Sequence, residues 1–148
     1  MRFLEKSLIA LDIEANSAED AIRAAGQLLV DGGAAERSYI EAMLESYRDK
    51  GPYFVLAPHI ALPHAKAEDG VREASVSFVR LKQPVRFGHP ANDPVELVFA
   101  LGSSSSSDHI ALLRRLTTLL NDPANVTAMR QAQTAGEVEA LLAKAEAK

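Results

Sequence analysis

The chain has 148 residues, 47% hydrophobic and 24% charged, with a formal net charge of −4 and a pI of about 5.6. That length suits about one ordinary domain with a substantial core, and the acidic balance argues against nucleic acid as a partner, which would need clustered Lys and Arg. There is no cysteine, so disulfides, cysteine-type zinc sites and thiol nucleophiles are excluded.

The first residues, Met1 to Lys6, are broken by charges, and the apolar Leu8–Leu11 is too short for a signal peptide. No stretch approaches the roughly 18 apolar residues of a membrane span, so the cytoplasm is the expected location. Leu8–Ile13 reads as a short strand. Ser17, with Asp20 three residues on, reads as a helix cap, and Ala18–Val30 places Ile22, Ala25, Leu29 and Val30 near one face. Gly32-Gly33 stops that helix. A second helix is predicted over Arg37–Lys50, with Ile40, Met43, Leu44 and Tyr47 as its apolar stripe, ended by Gly51-Pro52.

Tyr53–Ala57 is a continuous apolar run between two prolines and is expected to be a buried strand. Ser75–Leu81 alternates polar and apolar, which predicts a strand buried on one face. Val95–Leu101 follows the turn residues Asn92-Asp93-Pro94 and reads as a more central strand. Gly102 and five serines, Ser103 to Ser107, form a loop leading to an amphipathic helix over His109–Leu120. Pro123 opens another helix to about Arg130. Thr134 and Glu137 form a capping-box pattern for a last helix ending near Ala145. Strands alternate with helices, so residues 1–148 read as a single α/β domain with one mixed β-sheet flanked by helices.

The segment Leu62-Pro63-His64-Ala65-Lys66 carries the chemistry. It resembles the phosphorylation-site motif of enzyme IIA proteins of the mannitol–fructose type (type 2) in the sugar phosphotransferase system (PTS). Gly51–Pro58 before it and His89–Glu96 after it are similar to the ascorbate branch, and the likeness runs from about Ser17 to Leu142. In that family the histidine after the proline takes a phosphoryl group from the phosphocarrier protein HPr and gives it to a cysteine of an enzyme IIB. The resemblance therefore implies that His64 is the phosphoryl acceptor. Because this chain has no cysteine, IIB must be a separate partner. The membrane permease is reached only indirectly.

The residues fit that chemistry. A neutral imidazole is a good nucleophile, and its ordinary pKa of about 6.5 keeps much of it neutral in the cytoplasm. Pro63 fixes a φ angle beside it. Family members also carry a histidine at the start of the helix after the central strand. His109 occupies that place here and is expected to stabilise the phosphoryl group, where helix amides and the dipole would add to it. No Gly-x-x-x-x-Gly-Lys-Ser/Thr loop occurs, so nothing points to ATP. No cofactor is implied, and the four histidines lack metal-binding spacing, so no metal is expected.

A lone histidine is most often solvated or core; the surrounding pattern is what singles out His64. His59 reads as structural or peripheral, because positions five apart in an extended segment face opposite ways. For His89 a turn role is at least as well supported as a site role. Mannitol-type relatives commonly carry an arginine three residues beyond the methionine before the site. Here that position is Ser46, after Met43, which favours the ascorbate-like branch, and the role is not carried to Arg48. At His59 the ascorbate-like proteins often have glycine.

Two other readings share these residues: a phosphorylation-state regulator of the nitrogen-PTS type, and a non-catalytic interaction domain, against which intact His64 and His109 speak. The sugar cannot be read from an A component. Oligomeric state stays open, since an apolar helix face reads the same against a core or a second copy, and a homodimer is one of the readings.

Overall fold

The structure, a computed structural model, describes residues 1–146. Among them are the strands β1 (Arg2–Phe3), β2 (Ile9–Ile13), β3 (Ile60–Ala61), β4 (Ser75–Val85) and β5 (Val95–Gly102). The helices are α1 (Ala18–Asp31), α2 (Arg37–Lys50), α3 (Ser106–Leu120), α4 (Pro123–Gln131) and α5 (Ala135–Glu146). The strands form one mixed sheet in the order β1-β4-β5-β3, with β2 also paired to β4. β1 and β2 run parallel to β4, β4 is antiparallel to β5, and β3 is parallel to β5.

Alternation along β4 and β5 divides the core. Val79, Val98 and Ala100 face Ala21, Ile22, Ala25 and Leu29 of α1. Val76, Phe78, Leu97, Phe99 and Leu101 face Leu112, Leu116 and Leu119 of α3, with Met129 and Leu142 beyond. Phe78 and Phe99 are register partners whose rings stack 4.8 Å apart, a geometry worth about 0.5–1.5 kcal/mol beyond area burial.

Because helices cover both faces, β4 departs from its expected one-sided burial. Every residue from Ser75 to Leu81 is buried. Two of its polar members find partners, while the buried Ser75 Oγ has none among the described residues: Ser77 Oγ donates to the Ala25 carbonyl at 2.7 Å. The Arg80 guanidinium donates to the carbonyls of Met129, Arg130 and Ala132 at the end of α4 and pairs with Asp12. Those groups meet the requirement that buried donors find acceptors.

The expected strand at Tyr53–Ala57 is a turn. Pro52 and Pro58 remove a donor at each end, and the Val55 amide closes back on the Pro52 carbonyl at 3.1 Å. Phe54 and Val55 are core residues, while Tyr53 and Leu56 are exposed. An apolar run predicted burial, not a ladder. The strand that does lead to the motif is β3, two residues long and missed by the periodicity. Gly51, at φ +75°, ends α2 by donating to the Tyr47 carbonyl and turns the chain toward Tyr53.

The helix caps follow the sequence more closely. Ser17 Oγ accepts the Asp20 amide, Asp122 accepts that of Ala124, and Thr134 Oγ1 accepts that of Glu137. α3, however, starts three residues before His109. Its cap is Ser105, whose Oγ accepts the Asp108 amide at 3.1 Å.

Candidate active site

Beyond β3 the chain keeps its course beside β5. The Leu101 amide donates to the Pro63 carbonyl at 3.0 Å, and His64 pairs with Leu101 in a parallel bridge. This sets His64 at the end of β5, just where Gly102 leads into the serine loop and α3. Two segments about 45 residues apart in sequence thus converge at strand ends, a usual place for sites in α/β sheets.

Tyr39 of α2 fixes the juncture. Its buried hydroxyl donates to the Leu101 carbonyl and accepts the Ala65 amide at 3.0 Å. Burial pushes its pKa up to about 12, so it stays a neutral donor. Its folded pKa lies above the unfolded value near 10, so this contribution is complete below about pH 10 and fades as pH rises toward 12. Tyr39→Phe leaves a carbonyl and an amide unsatisfied and is expected to cost about 1–3 kcal/mol, read as an earlier urea midpoint with unchanged slope. An unmoved midpoint would remove the hydroxyl from this role.

The His64 ring is half-buried. Its Nδ1 lies 2.7 Å from the Leu62 carbonyl. A carbonyl only accepts, so Nδ1 carries the proton and Nε2 keeps a free lone pair. The Tyr53 ring meets His64 edge-on at 5.7 Å, and the His109 ring lies 5.5 Å away at a tilt of 50°. His109 is the fourth residue of α3, and its Nδ1 is 2.9 Å from Ser103 Oγ. The imidazoles that the sequence singled out are therefore neighbours.

Two open depressions meet at His64. One, of about 490 Å³, is bordered by Ser46, Lys50, Tyr53 and Lys66. The other, of about 600 Å³, is bordered by Lys66, the serines Ser103 to Ser106, His109 and Ile110. Tyr53 and Ile110 are exposed apolar groups beside it, and Lys66 is a cation shared by both hollows.

His109 has its pKa lowered, first by burial and second by the nearby His64. The unfolded chain then binds more protons than the folded one as pH falls below about 6.5, so this group's contribution to stability is lost on acidification through its folded pKa. An NMR pH titration is expected to place the His109 pKa below 6.5. His64→Ala should raise it only in part, because burial is the larger cause. A folded value at or above 6.5 would contradict this.

The other histidines lie elsewhere. His59 has a left-handed φ of +69°, a conformation that favours glycine, and its Nδ1 is 2.7 Å from the Pro94 carbonyl. That contact holds the histidine in a conformation that glycine adopts without strain. His89 Nδ1 accepts the amides of Ala91 and Asn92, closing a turn. Arg48 pairs with Glu19, while Ser46 Oγ is 3.1 Å from the Tyr53 hydroxyl at the site. Sequence reasoning missed Tyr39 and Tyr53 as site residues. The only signal for Tyr39 was a tyrosine flanking the apolar stripe of α2.

The family model described as "Phosphoenolpyruvate-dependent sugar phosphotransferase system, EIIA 2" matches residues 2–145. The chain is 36% identical over 135 residues to the ascorbate-specific PTS system EIIA component of Salmonella choleraesuis, covering 90% of this chain and 88% of that protein. Its Escherichia coli counterpart is 33% identical over the same coverage. Among solved structures, the complex of enzyme IIA-mannitol and phosphorylated enzyme IIB-mannitol from Escherichia coli is similar at 33% identity and a TM-score of 0.82, covering 96% of this chain and 99% of that one. A putative PTS IIA (PtxA) from Streptococcus mutans gives a TM-score of 0.90 at 27% identity, covering 100% and 97%.

Proposed function

As this chain belongs to the EIIA 2 family of the phosphoenolpyruvate-dependent sugar phosphotransferase system, we propose that it carries a phosphoryl group on His64 from phospho-HPr to a cysteine of an EIIB, in a cytoplasmic relay serving uptake of ascorbate or a related sugar acid. The observation that carries this reading is the pair of imidazoles 5.5 Å apart, with Nε2 of His64 left free by the Nδ1 bond to Leu62. The ascorbate-specific relatives support the sugar class. The solved IIA–IIB complex of a mannitol-type relative supports the acceptor.

In the proposed cycle the Nε2 lone pair of His64 attacks phosphorus. The P–N bond to Nε2 forms as the bond to the donor breaks, and that electron pair leaves with the donor. The imidazole gains positive charge during attack, and the Leu62 carbonyl at Nδ1–H stabilises it. The transferred group would be held by His109, the uncommitted amide of Ser106 at the start of α3 and the charge of Lys66, residues that line the hollow with His64. An EIIB thiolate then takes the group from Nε2, returning the lone pair to His64.

Enzyme I, HPr and labelled phosphoenolpyruvate test the proposal together. The expected result is one acid-labile phosphate on the peptide containing His64, chased off by an ascorbate-type EIIB. Absence of label, or label that no EIIB removes, would overturn it.

A further inference from the structure

The two neighbouring imidazoles differ in what holds their Nδ1 atoms. His64 Nδ1 faces the Leu62 carbonyl, and His109 Nδ1 faces the Ser103 hydroxyl. A carbonyl can only accept, which forces the proton onto Nδ1 of His64. A hydroxyl can accept or donate. We propose that Ser103 is a positioning residue that makes His109 a proton donor: its Oγ–H donates to Nδ1, so the neutral His109 ring carries its proton on Nε2, the opposite tautomer to His64.

This deepens the phosphoryl-transfer reading of the same site and rests on it. A neutral His109 with a bare Nε2 would turn a lone pair toward phosphoryl oxygens and repel them. With Nε2–H it donates to them. The hydroxyl also permits a change of state that a carbonyl would forbid. When the phosphoryl group arrives, its negative charge favours protonation of His109. Ser103 then rotates, and Nδ1–H donates to Oγ across the same 2.9 Å contact. The ring takes a proton from solvent at Nδ1 with no bond lost and no movement of the backbone. The same pair accounts for the division of labour between the rings: the one with a carbonyl partner is the nucleophile, and the one with a hydroxyl partner is the donor.

Burial supports the arrangement. Ser103 and His109 are both half-buried at the lip of the hollow that His64 borders, so their contact is shielded from full competition by water. Ser104, by contrast, is turned outward and occupied by Asp108 Oδ2 at 2.6 Å. Ser105 is committed to capping α3. Of the serine run, Ser103 is the member in hydrogen-bond contact with the His109 ring.

The test begins with the unphosphorylated protein at pH above 7.5, labelled with 15N in its imidazoles. His64 is expected in the Nδ1–H form and His109 in the Nε2–H form, with the His109 Nδ1 resonance shifted by an accepted hydrogen bond. Ser103→Ala should remove that shift while leaving the His64 resonances in place, which shows the fold and the acceptor intact. Transfer from phospho-His64 to EIIB should fall roughly tenfold to a hundredfold, by analogy with groups that orient metal-ligating histidines. Ser103→Thr, which keeps the hydroxyl, should restore most of it. The same tautomer on both rings, or a Ser103→Ala variant with wild-type transfer, overturns the proposal. Failure of the wild-type protein to take phosphate would instead strike the underlying transfer reading, since the tautomers are measured without phosphate.

Discussion

His64→Ala should take up no acid-labile phosphate from phospho-HPr, a complete loss rather than a slowing. The variant removes the imidazole whose Nδ1 faces a carbonyl, which leaves its Nε2 lone pair as the nucleophile. The other histidines offer no substitute. The rings of His59 and His89 serve the Pro94 carbonyl and the Ala91–Asn92 turn, away from the site. His109 is already held by Ser103. The fold should survive, because the bonds that place this segment do not use the His64 side chain: the Leu101 amide donates to the Pro63 carbonyl, and the Ala65 amide to the Tyr39 hydroxyl. The side chain contributes one hydrogen bond to Leu62, worth about 0.5–1.5 kcal/mol. Mass spectrometry of the intact protein reads the result, with a thermal melt as control. If the folded variant is labelled as well as wild type, the phosphoryl acceptor lies elsewhere.

His109→Ala is expected to keep the acceptor and lose the transfer. Nε2 of His64 is untouched by the substitution, so label should still reach His64. The donor that faces the developing negative charge is gone. Removing one such preorganised donor typically slows a reaction by about 10²–10³. The loss should be largest in passage to EIIB, where the bound phosphoryl group must be released to a second nucleophile. Rapid-quench measurement of both half-reactions separates the steps. Equal rates in both directions for variant and wild type would take His109 out of the mechanism.

Much of this site was legible before the structure, for reasons that differ between residues. The proline–histidine motif is local, so His64 stood out from its neighbours alone. Helix starts were legible where a single capping residue was on offer, as at Ser17 and Thr134. Before His109 five serines compete, and the choice of Ser105 depends on its reach to the Asp108 amide. β3 was hidden because two residues carry no period, and its existence depends on pairing with β5. Tyr53–Ala57 misled because burial and strand formation coincide often but not here. Tyr39 was beyond local reading: its hydroxyl meets groups 26 and 62 positions away. The chemistry of the Nδ1 partners belongs to that class as well, for it exists only once β3, β5 and the serine loop share one edge.

The freedom of a single ring nitrogen has a kinetic consequence. Nε2 of His64 is where the group would arrive and depart, and His64 lines both of the hollows that flank it. A donor protein and an acceptor protein cannot both reach it at once, so no ternary complex can be productive. Initial-rate plots against one protein at fixed levels of the other should then be parallel lines, the signature of a ping-pong cycle. An excess of unphosphorylated EIIB should inhibit loading by competing with phospho-HPr. Flux through the carrier would be tuned by the ratio of its two partners and not by their sum.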